Sequence, residues 1–298
     1  MNTVSTIIVV KDNPPHLFET LDSIDSFSSE IIIANIGIDP NLKKQLLEIH
    51  KIKIIEIKES VPYVEIIREK IKQQSKNEYA LFLDPDEVLS KQLVEVLKSS
   101  MGTYDYVRIP RKNIIFGKWI EHSRWWPDYQ IRFFKKDSIV WPTEIHKQPK
   151  TTGKGLTLES KEENAIVHYN YESIDEYMQK ALRYAKSEAS SNSDKKNDLS
   201  LHETIRLSIS EFMSRFFAYE GYKDGIHGFI LAIFQMFYPL LVYFYYLEQT
   251  KYSSNLSDKE VLQHTSHFFG KLNKESLFWK NKKDSITLKE KIIQKLSD

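Results

Sequence analysis

The 298-residue chain contains no cysteine, which excludes disulfide bonds, thiolate metal sites and cysteine nucleophiles. It also lacks an excess of either charge: 42 Lys and Arg residues against 41 Asp and Glu residues give no electrostatic indication of nucleic-acid binding. Glycine is scarce, and Lys11-Asp-Asn-Pro-Pro15 stands where a nucleotidyltransferase would need a glycine-rich phosphate loop. The first residues lack the basic region and cleavage site of a signal peptide, so we expect a cytoplasmic protein.

Short apolar, β-branched stretches alternate with helical patterns through the first hundred residues. Strands are predicted at 3–10, 30–34, 53–57 and 79–83, each followed by a stretch with helical periodicity. This alternation favours an α/β fold with a mostly parallel central sheet flanked by helices. Ligands bind such sheets beyond the carboxyl ends of the strands, where the sequence places Asn35, Asp39 and the acids that follow Leu83.

Three acids, Asp84, Asp86 and Glu87, crowd around a proline at the end of the predicted strand 79–83. Like charges at close range disfavour ionisation, and a bound cation would remove that penalty. Asp84 and Asp86 form an i, i+2 pair that can reach one Mg²⁺ or Mn²⁺, and such ions keep positions open for substrate phosphates. The alternative is a solvated first turn of a helix, where acidic side chains are favourable.

Several stretches resemble a known family. VSTIIVVKDNPPHLFETLDSI, EIIIANIGID, VEIIREKI and NEYALFLDPDE resemble the nucleotide-binding half of family 2 glycosyltransferases, which have the GT-A fold. WWPDYQIRFFKKDSIVWPTEIHKQP and HYNYESIDEYMQKALRYAKSEA are similar to patterns of the branch that includes lipopolysaccharide-core β-glucosyltransferases. The resemblance implies an inverting, metal-dependent transfer of a sugar from a nucleotide diphosphate, in particular a UDP-sugar, to a cell-envelope glycan or lipid-linked acceptor.

The resemblance also assigns roles to individual residues. Asp84 would contact the donor ribose and, with Asp86, the metal ion, while His146 would complete the metal shell or act as a hydrogen-bonded loop histidine. Arg68 matches a helix arginine near the nucleotide phosphates; the alternative is a solvated helix face. Asn35 stands where the family usually has an acid that contacts the nucleotide, which weakens the case for a particular nucleotide.

Inversion at a sugar carbon needs a base, and Asp128, which matches the acid of the family's D-x-Q-x-R pattern, is the candidate. Its place in an aromatic loop before a predicted strand leads us to expect a raised pKa; bracing the loop is its alternative role. Gln130 and Arg132 alternate with apolar residues and share one face of the strand, and both are candidates for binding the donor. Arg132 can bind the diphosphate bidentately or pair with the acids after Leu83. His168 is interpreted as a structural histidine.

We expect a GT-A-like domain at residues 1–190 and a helical region at 191–298, with the polar stretch 187–200 as a loop or linker. The segment 225–247 is apolar and long enough for a span of ~20 residues. Because it contains His227, Gln235 and Pro239, a helix on the inner face of the membrane or partly inserted is favoured, with a buried core helix as the alternative. The competing functional hypothesis is a non-catalytic nucleotide-sugar-binding or scaffold protein.

Overall fold

The computed structural model describes residues 3–59, 64–142, 149–194, 199–253 and 256–283. Its strands are β1 (Val4–Asp12), β2 (Glu30–Ile38), β3 (Ile52–Glu56), β4 (Tyr79–Leu83), β5 (Glu87–Val88), β6 (Tyr106–Ile109), β7 (Arg111–Ile115), β8 (Lys118–Trp119), β9 (Gln130–Lys135), β10 (Ile139–Val140), β11 (Lys150–Thr151), β12 (Gly155–Thr157) and β13 (Ile166–Tyr171). Its α-helices are α1 (Leu17–Ile24), α2 (Pro40–Leu47), α3 (Glu65–Lys72), α4 (Lys91–Ser100), α5 (Ile174–Asp194), α6 (Leu201–Phe212), α7 (Ile226–Gln249) and α8 (Asp258–Lys282).

The main sheet has seven strands in the order β12-β6-β9-β4-β1-β2-β3. The pairs β1–β2, β1–β4, β2–β3 and β6–β12 are parallel, and β9 is antiparallel to both of its neighbours. The predicted α/β fold with a mostly parallel central sheet is therefore confirmed. β9 is the strand that carries Gln130 and Arg132 beside β4.

Both faces of the central strands β1, β2 and β4 are buried along most of their length, which explains their apolar runs. Because side chains alternate across a strand, neighbours in β1 enter different cores. Ile8 packs in a core cluster with residues of α1, α2 and α4, whereas Ile7 packs with residues of α3 on the other face. The carboxyl ends of β1, β2 and β4 consequently project from a rigid two-sided core.

A second sheet places β13 between β5 and β7. β5 begins at Glu87, and its two residues pair antiparallel with Val167 and His168 of β13. The three residues 84–86 between β4 and β5 therefore connect the two sheets. This brings polar side chains of β7 and β13 to the acids that follow β4.

The chain divides into two compact units. The first comprises Met1–Ile114 and Trp126–Asn170, and the second Ile115–Trp125 and Tyr171–Asp298. The expected domain boundary at residue 190 falls inside α5, which belongs to the second unit. The prediction of a linker beginning at residue 187 is wrong as far as Asp194, because α5 continues to that residue. Ala185 and Ala189 give α5 a buried face that packs near Val242 of α7.

Within the second unit, α6 and α8 run parallel and pair along one seam. Apolar residues of both helices form one cluster, in which Ile205 and Ile209 of α6 pack with Phe268 and Leu272 of α8. Beyond the end of α6, the ring of Phe217 stacks on Trp279 with centroids 6.4 Å apart. Phe268, Leu272 and Trp279 therefore hold α8 against α6 and the segment that follows it.

Among the described residues, α7 is the helix that is long and apolar enough to cross a membrane. It is continuous through Pro239, and only 22% of its most apolar 18-residue window is buried within the structure. Ile226, Phe229, Phe237 and Phe244 are exposed. The alternative expectation, a buried core helix, is therefore wrong for α7.

Candidate active site

The acidic turn after β4 is held by its own backbone and by Glu87. The N–H of Asp84 donates to Glu87 Oε2 at 2.9 Å, and the N–H of Glu87 donates to the carbonyl oxygen of Asp84 at 3.1 Å. Glu87 is fully buried, whereas the side chains of Asp84 and Asp86 are 30% and 25% exposed. The two aspartates of the D-x-D pattern are therefore the acids that an entering ligand can reach.

Two arginines, the buried Arg132 and the half-buried Arg111, neutralise this turn. Arg132 of β9 donates to Glu87 Oε1 at 2.7 Å and also pairs with Asp84. Arg111 of β7 donates to Glu87 Oε1 at 3.1 Å. Of the two roles predicted for Arg132, pairing with the acids is confirmed by these contacts, and its binding of a diphosphate stays a prediction.

The pKa of Asp84 lies well below its usual range. Burial raises this pKa, but the charges of Arg132, Arg68 and Arg111 lower it by more. Burial conversely lowers the pKa of Arg132, and the charges of Asp84 and Glu87 more than offset that, so its pKa is raised. Asp84 and Arg132 are thus both ionised at neutral pH, and the charges of their neighbours stabilise them.

Asp128 is fixed by hydrogen bonds to both carboxylate oxygens. Arg111 Nε donates to Oδ2 at 2.9 Å, Asn113 Nδ2 to the same oxygen at 3.3 Å, and Gln130 Nε2 to Oδ1 at 2.9 Å. The expectation of a raised pKa is wrong: burial raises the pKa of Asp128, but the Arg111 charge and these hydrogen bonds lower it overall. Asp128 is therefore an ionised but weakened base, and no contact tests its catalytic role.

His168 lies nearer to the acids than its interpretation as a structural histidine implies. Its Nδ1 is 2.7 Å from Asn113 Oδ1, and its Nε2 is 3.6 Å from Asp86 Oδ1. A carboxylate oxygen of Asp84, a carboxylate oxygen of Glu87 and an imidazole nitrogen of His168 all lie within 4.8 Å of one another. The imidazole is 5% exposed, so it forms an inner wall of this acidic site.

These residues fit a divalent cation. Carboxylate oxygens and an imidazole nitrogen suit Mn²⁺, and Mg²⁺ accepts the same oxygens. Asp84, Glu87 and His168 could hold the ion, with Asp86 beside the imidazole. His146, the predicted histidine ligand, lies outside the described residues, so its role stays a prediction.

Arg68 of α3 reaches the same site from the other side. Its guanidinium lies 4.8 Å from the ring centre of Trp141 and 3.7 Å from Asp84 Oδ1. Its side chain is 13% exposed, so the alternative of a solvated helix face is wrong. The partly exposed cation remains a candidate for phosphate binding.

Asn35 and Asp39 have local roles at the end of β2. Asn35 Oδ1 accepts from the backbone N–H groups of Gly37 and Ile38 at 2.8 and 2.7 Å, and its Nδ2 donates to Glu56 at 2.8 Å. Asp39 caps α2 by accepting from the backbone N–H groups of Asn41 and Leu42. Their predicted contacts with a nucleotide are compatible with these bonds and stay predictions.

Sequence reasoning missed Arg111 and Asn113 of β7. Both project from the same face of the strand, as their i, i+2 spacing requires. The polar stretch Arg111-Lys112-Asn113 could have indicated these two residues. It did not show which acids the strand would contact. The pairing of β5 with β13 and the neighbouring place of β7 bring them together.

No protein-family model matches the chain. Among solved structures, it is similar to TarS of S. aureus in complex with UDP, at 14% identity and a TM-score of 0.43, covering 86% of this chain and 94% of that one. TarS in complex with UDP-GlcNAc gives 15% identity and a TM-score of 0.44 over 80% and 81% of the two chains. The mannosyltransferase PcManGT from Pyrobaculum calidifontis, in complex with GDP-Man and Mn²⁺, gives 12% and 0.44 over 99% and 83%. At these identities and TM-scores the likenesses carry no functional argument. The function is therefore inferred from the residues of this chain.

Proposed function

We propose that the protein is an inverting glycosyltransferase that moves a sugar from a nucleotide-diphosphate donor, in particular a UDP-sugar, to a cell-envelope glycan or lipid-linked acceptor. The observation that carries this proposal is the joint position of two groups. A set of oxygen and nitrogen ligands, Asp84, Glu87 and His168, lies beside the partly exposed Asp86. It adjoins an ionised Asp128 through the shared partners Arg111 and Asn113.

The donor diphosphate binds at the acidic turn. A bound Mg²⁺ or Mn²⁺ supplies positive charge that stabilises the departing nucleoside diphosphate. Arg68 keeps more exposure than Arg132, 13% against 3%, and we therefore assign it to the phosphates. Arg132 lowers the pKa of Asp84 and holds Glu87 in place by a hydrogen bond.

Asp128 takes the acceptor proton. The acceptor oxygen forms a bond to the anomeric carbon from the face opposite the diphosphate, the carbon–oxygen bond to the diphosphate breaks, and the acceptor proton moves to Asp128. Because the pKa of Asp128 is lowered, this transfer occurs late, when the acceptor oxygen has become acidic in the oxocarbenium-like transition state. Arg111 and Gln130 hold the carboxylate orientation.

Donor hydrolysis and transfer test the site. With Mn²⁺ and a panel of UDP- and GDP-sugars, we expect nucleotide release that chelation abolishes and that Asp86→Asn reduces at least 100-fold. Asp137→Asn changes an exposed aspartate outside the site and should keep wild-type activity. Wild-type turnover in folded Asp86→Asn, or in the presence of a chelator, would refute the assignment.

The second candidate is a non-catalytic nucleotide-sugar-binding protein of the same fold. The observation that favours it is the pairing of Arg111 with Asp128, which weakens the only carboxylate assigned as a base. Calorimetry with Mn²⁺ and UDP, combined with the turnover assay, separates the two. Binding without turnover across the donor panel and with membrane acceptors would favour this second function.

We further propose that the protein works at the cytoplasmic face of a membrane. The exposed apolar residues of α7 recur at helical spacing, and the end of α8 carries a cluster of lysines suited to anionic lipid headgroups. Flotation with anionic vesicles should fall in Phe237→Gln/Phe244→Gln, whereas Leu47→Gln, at a residue of α2 that is 62% exposed, is the matched control. Equal flotation of both variants, or none of the wild type, would refute this placement.

A further inference from the structure

Asn113 is a polar residue of β7 that is completely buried and that contacts both halves of the proposed site. Its Oδ1 lies 2.7 Å from His168 Nδ1 and accepts from Asn170 Nδ2 at 3.5 Å. Its Nδ2 donates to Asp128 Oδ2 at 3.3 Å. Because a carboxylate oxygen only accepts, the amide nitrogen must face Asp128, which leaves the amide oxygen facing His168.

This orientation fixes the tautomer of His168. The amide oxygen carries no proton, so the hydrogen bond requires the proton on His168 Nδ1. In the neutral ring the lone pair is then on Nε2, the nitrogen that lies 3.6 Å from Asp86 Oδ1. A histidine ligand of a metal ion is commonly oriented in this way, by donating from its other ring nitrogen to a fixed acceptor.

The other end of the same amide acts on Asp128. Asn113 and Arg111, both of β7, donate to Asp128 Oδ2. Gln130 donates to Oδ1. The amide of Asn113 therefore contributes to fixing the plane of the proposed base. One buried side chain touches both halves of the site.

We propose that Asn113 is a positioning residue that orients His168 for cation binding and Asp128 for proton transfer at the same time. This inference rests on the proposed function. Only a side chain with an acceptor at one end and a donor at the other satisfies both neighbours. An aspartate at this position keeps the acceptor for His168 but sets a second carboxylate against Asp128, and a leucine of similar size satisfies neither.

The two variants separate the two effects. In Asn113→Leu, Mn²⁺ affinity of the protein without donor, measured by electron paramagnetic resonance, should fall about 10- to 100-fold, and kcat should fall with it. In Asn113→Asp, Mn²⁺ affinity should stay within about threefold of wild type because the acceptor for His168 remains, while kcat falls at least tenfold and KM for the donor is unchanged. Asn170→Ala removes a buried asparagine that also contacts Asn113, and it is the matched control that should preserve both values.

A spectroscopic readout needs no metal and no turnover. Nitrogen-15 NMR of the imidazoles, with His168 assigned from a His168→Gln sample, should show the proton on Nδ1 in the wild type and in Asn113→Asp. Loss of that tautomer is expected in Asn113→Leu. If Asn113→Leu does not fold, Asn113→Asp alone tests the positioning role. It should keep the His168 tautomer and the Mn²⁺ affinity of the wild type, and its kcat should be reduced.

The outcomes distinguish this inference from the proposed function. If the wild type neither binds Mn²⁺ nor turns over any donor, the proposed function fails and the positioning role fails with it. If the wild type does both and folded Asn113→Leu keeps its Mn²⁺ affinity, kcat and His168 tautomer, only the positioning role is overturned. A neutral His168 ring with its proton on Nε2 instead of Nδ1 in the wild type would also overturn it.

Discussion

Replacing Arg132 with methionine tests whether the buried ion pairs stabilise the first unit. Arg132 is 3% exposed and contacts Glu87, which is fully buried, and Asp84. Removing one partner of a buried pair costs about 3–5 kcal/mol, because the other charge remains buried without compensation. Arg111 still lies 3.1 Å from Glu87 and 3.9 Å from Asp84 and offsets part of that cost, so we expect the lower end, about 3 kcal/mol.

The assay is thermal unfolding followed by circular dichroism and calorimetry. A loss of about 3 kcal/mol should lower Tm by roughly 6–12 °C for a unit of this size. Arg108→Met makes the same substitution on β6 of the same sheet, where the side chain is exposed and its guanidinium lies 5.9 Å from the ring centre of Tyr129. This control should cost less than about 1 kcal/mol.

A double-mutant cycle with Glu87→Gln isolates the pair. If the charges stabilise each other, the double variant should be less destabilised than the sum of the single variants by about 1–3 kcal/mol. Strict additivity, or a loss below about 1 kcal/mol in Arg132→Met alone, would refute the view that burial makes this network strong.

The remaining predictions concern pH, α7 and α8. Asp84 and Asp128 have folded-state pKa values below their ordinary 3.8, so their contribution to stability is complete above about pH 5 and is lost as pH falls below that value. Asp84→Asn should therefore reduce the pH dependence of the unfolding free energy between about pH 5 and 3, and an unchanged slope would contradict this. Pro239→Ala restores an N–H within α7 and should raise the stability of the second unit by about 1–3 kcal/mol in calorimetry, and an unchanged or lowered stability would contradict this. Gly228→Ala should strongly destabilise the same unit or prevent folding, because a Cβ there would lie 1.8 Å from the carbonyl oxygen of Gly221, and soluble expression with an unchanged Tm would refute that packing. Trp279→Ala should lower the stability of the second unit by about 3 kcal/mol in the same measurement, since the ring stacks on Phe217 and closes the cluster between α6 and α8; a change within error would show that α8 does not depend on it.

Most of the fold follows from local sequence patterns. The strand 79–83 occurs where the buried apolar run predicts it, and the alternation of strands and helices gives the parallel part of the sheet. The end of α5 was not predictable in this way, because its last turns are polar and only small residues such as Ala185 and Ala189 are buried there. Helix length there depends on packing against α7, which is a long-range property.

The site was predictable only in part, for the same reason. The acids after β4 and the arginine at 132 are visible as local patterns, but Asn113 and His168 become neighbours through strands 55 residues apart in sequence. The pKa of Asp128 depends on Arg111, whose position no local pattern gives. Burial alone raises a carboxylate pKa, and the charge of a neighbouring arginine reverses the direction.

The structure also changes the reason for expecting a cation at the acidic turn. Crowded carboxylates first indicated a metal site, yet Arg132 and Arg111 already neutralise Glu87 and Asp84. Crowding by itself therefore has a sufficient explanation in the arginines. What they do not explain is an imidazole held with its proton on Nδ1, so that Nε2 lies beside Asp86. The orientation of His168, more than the number of acids, makes this turn a candidate for binding a divalent ion.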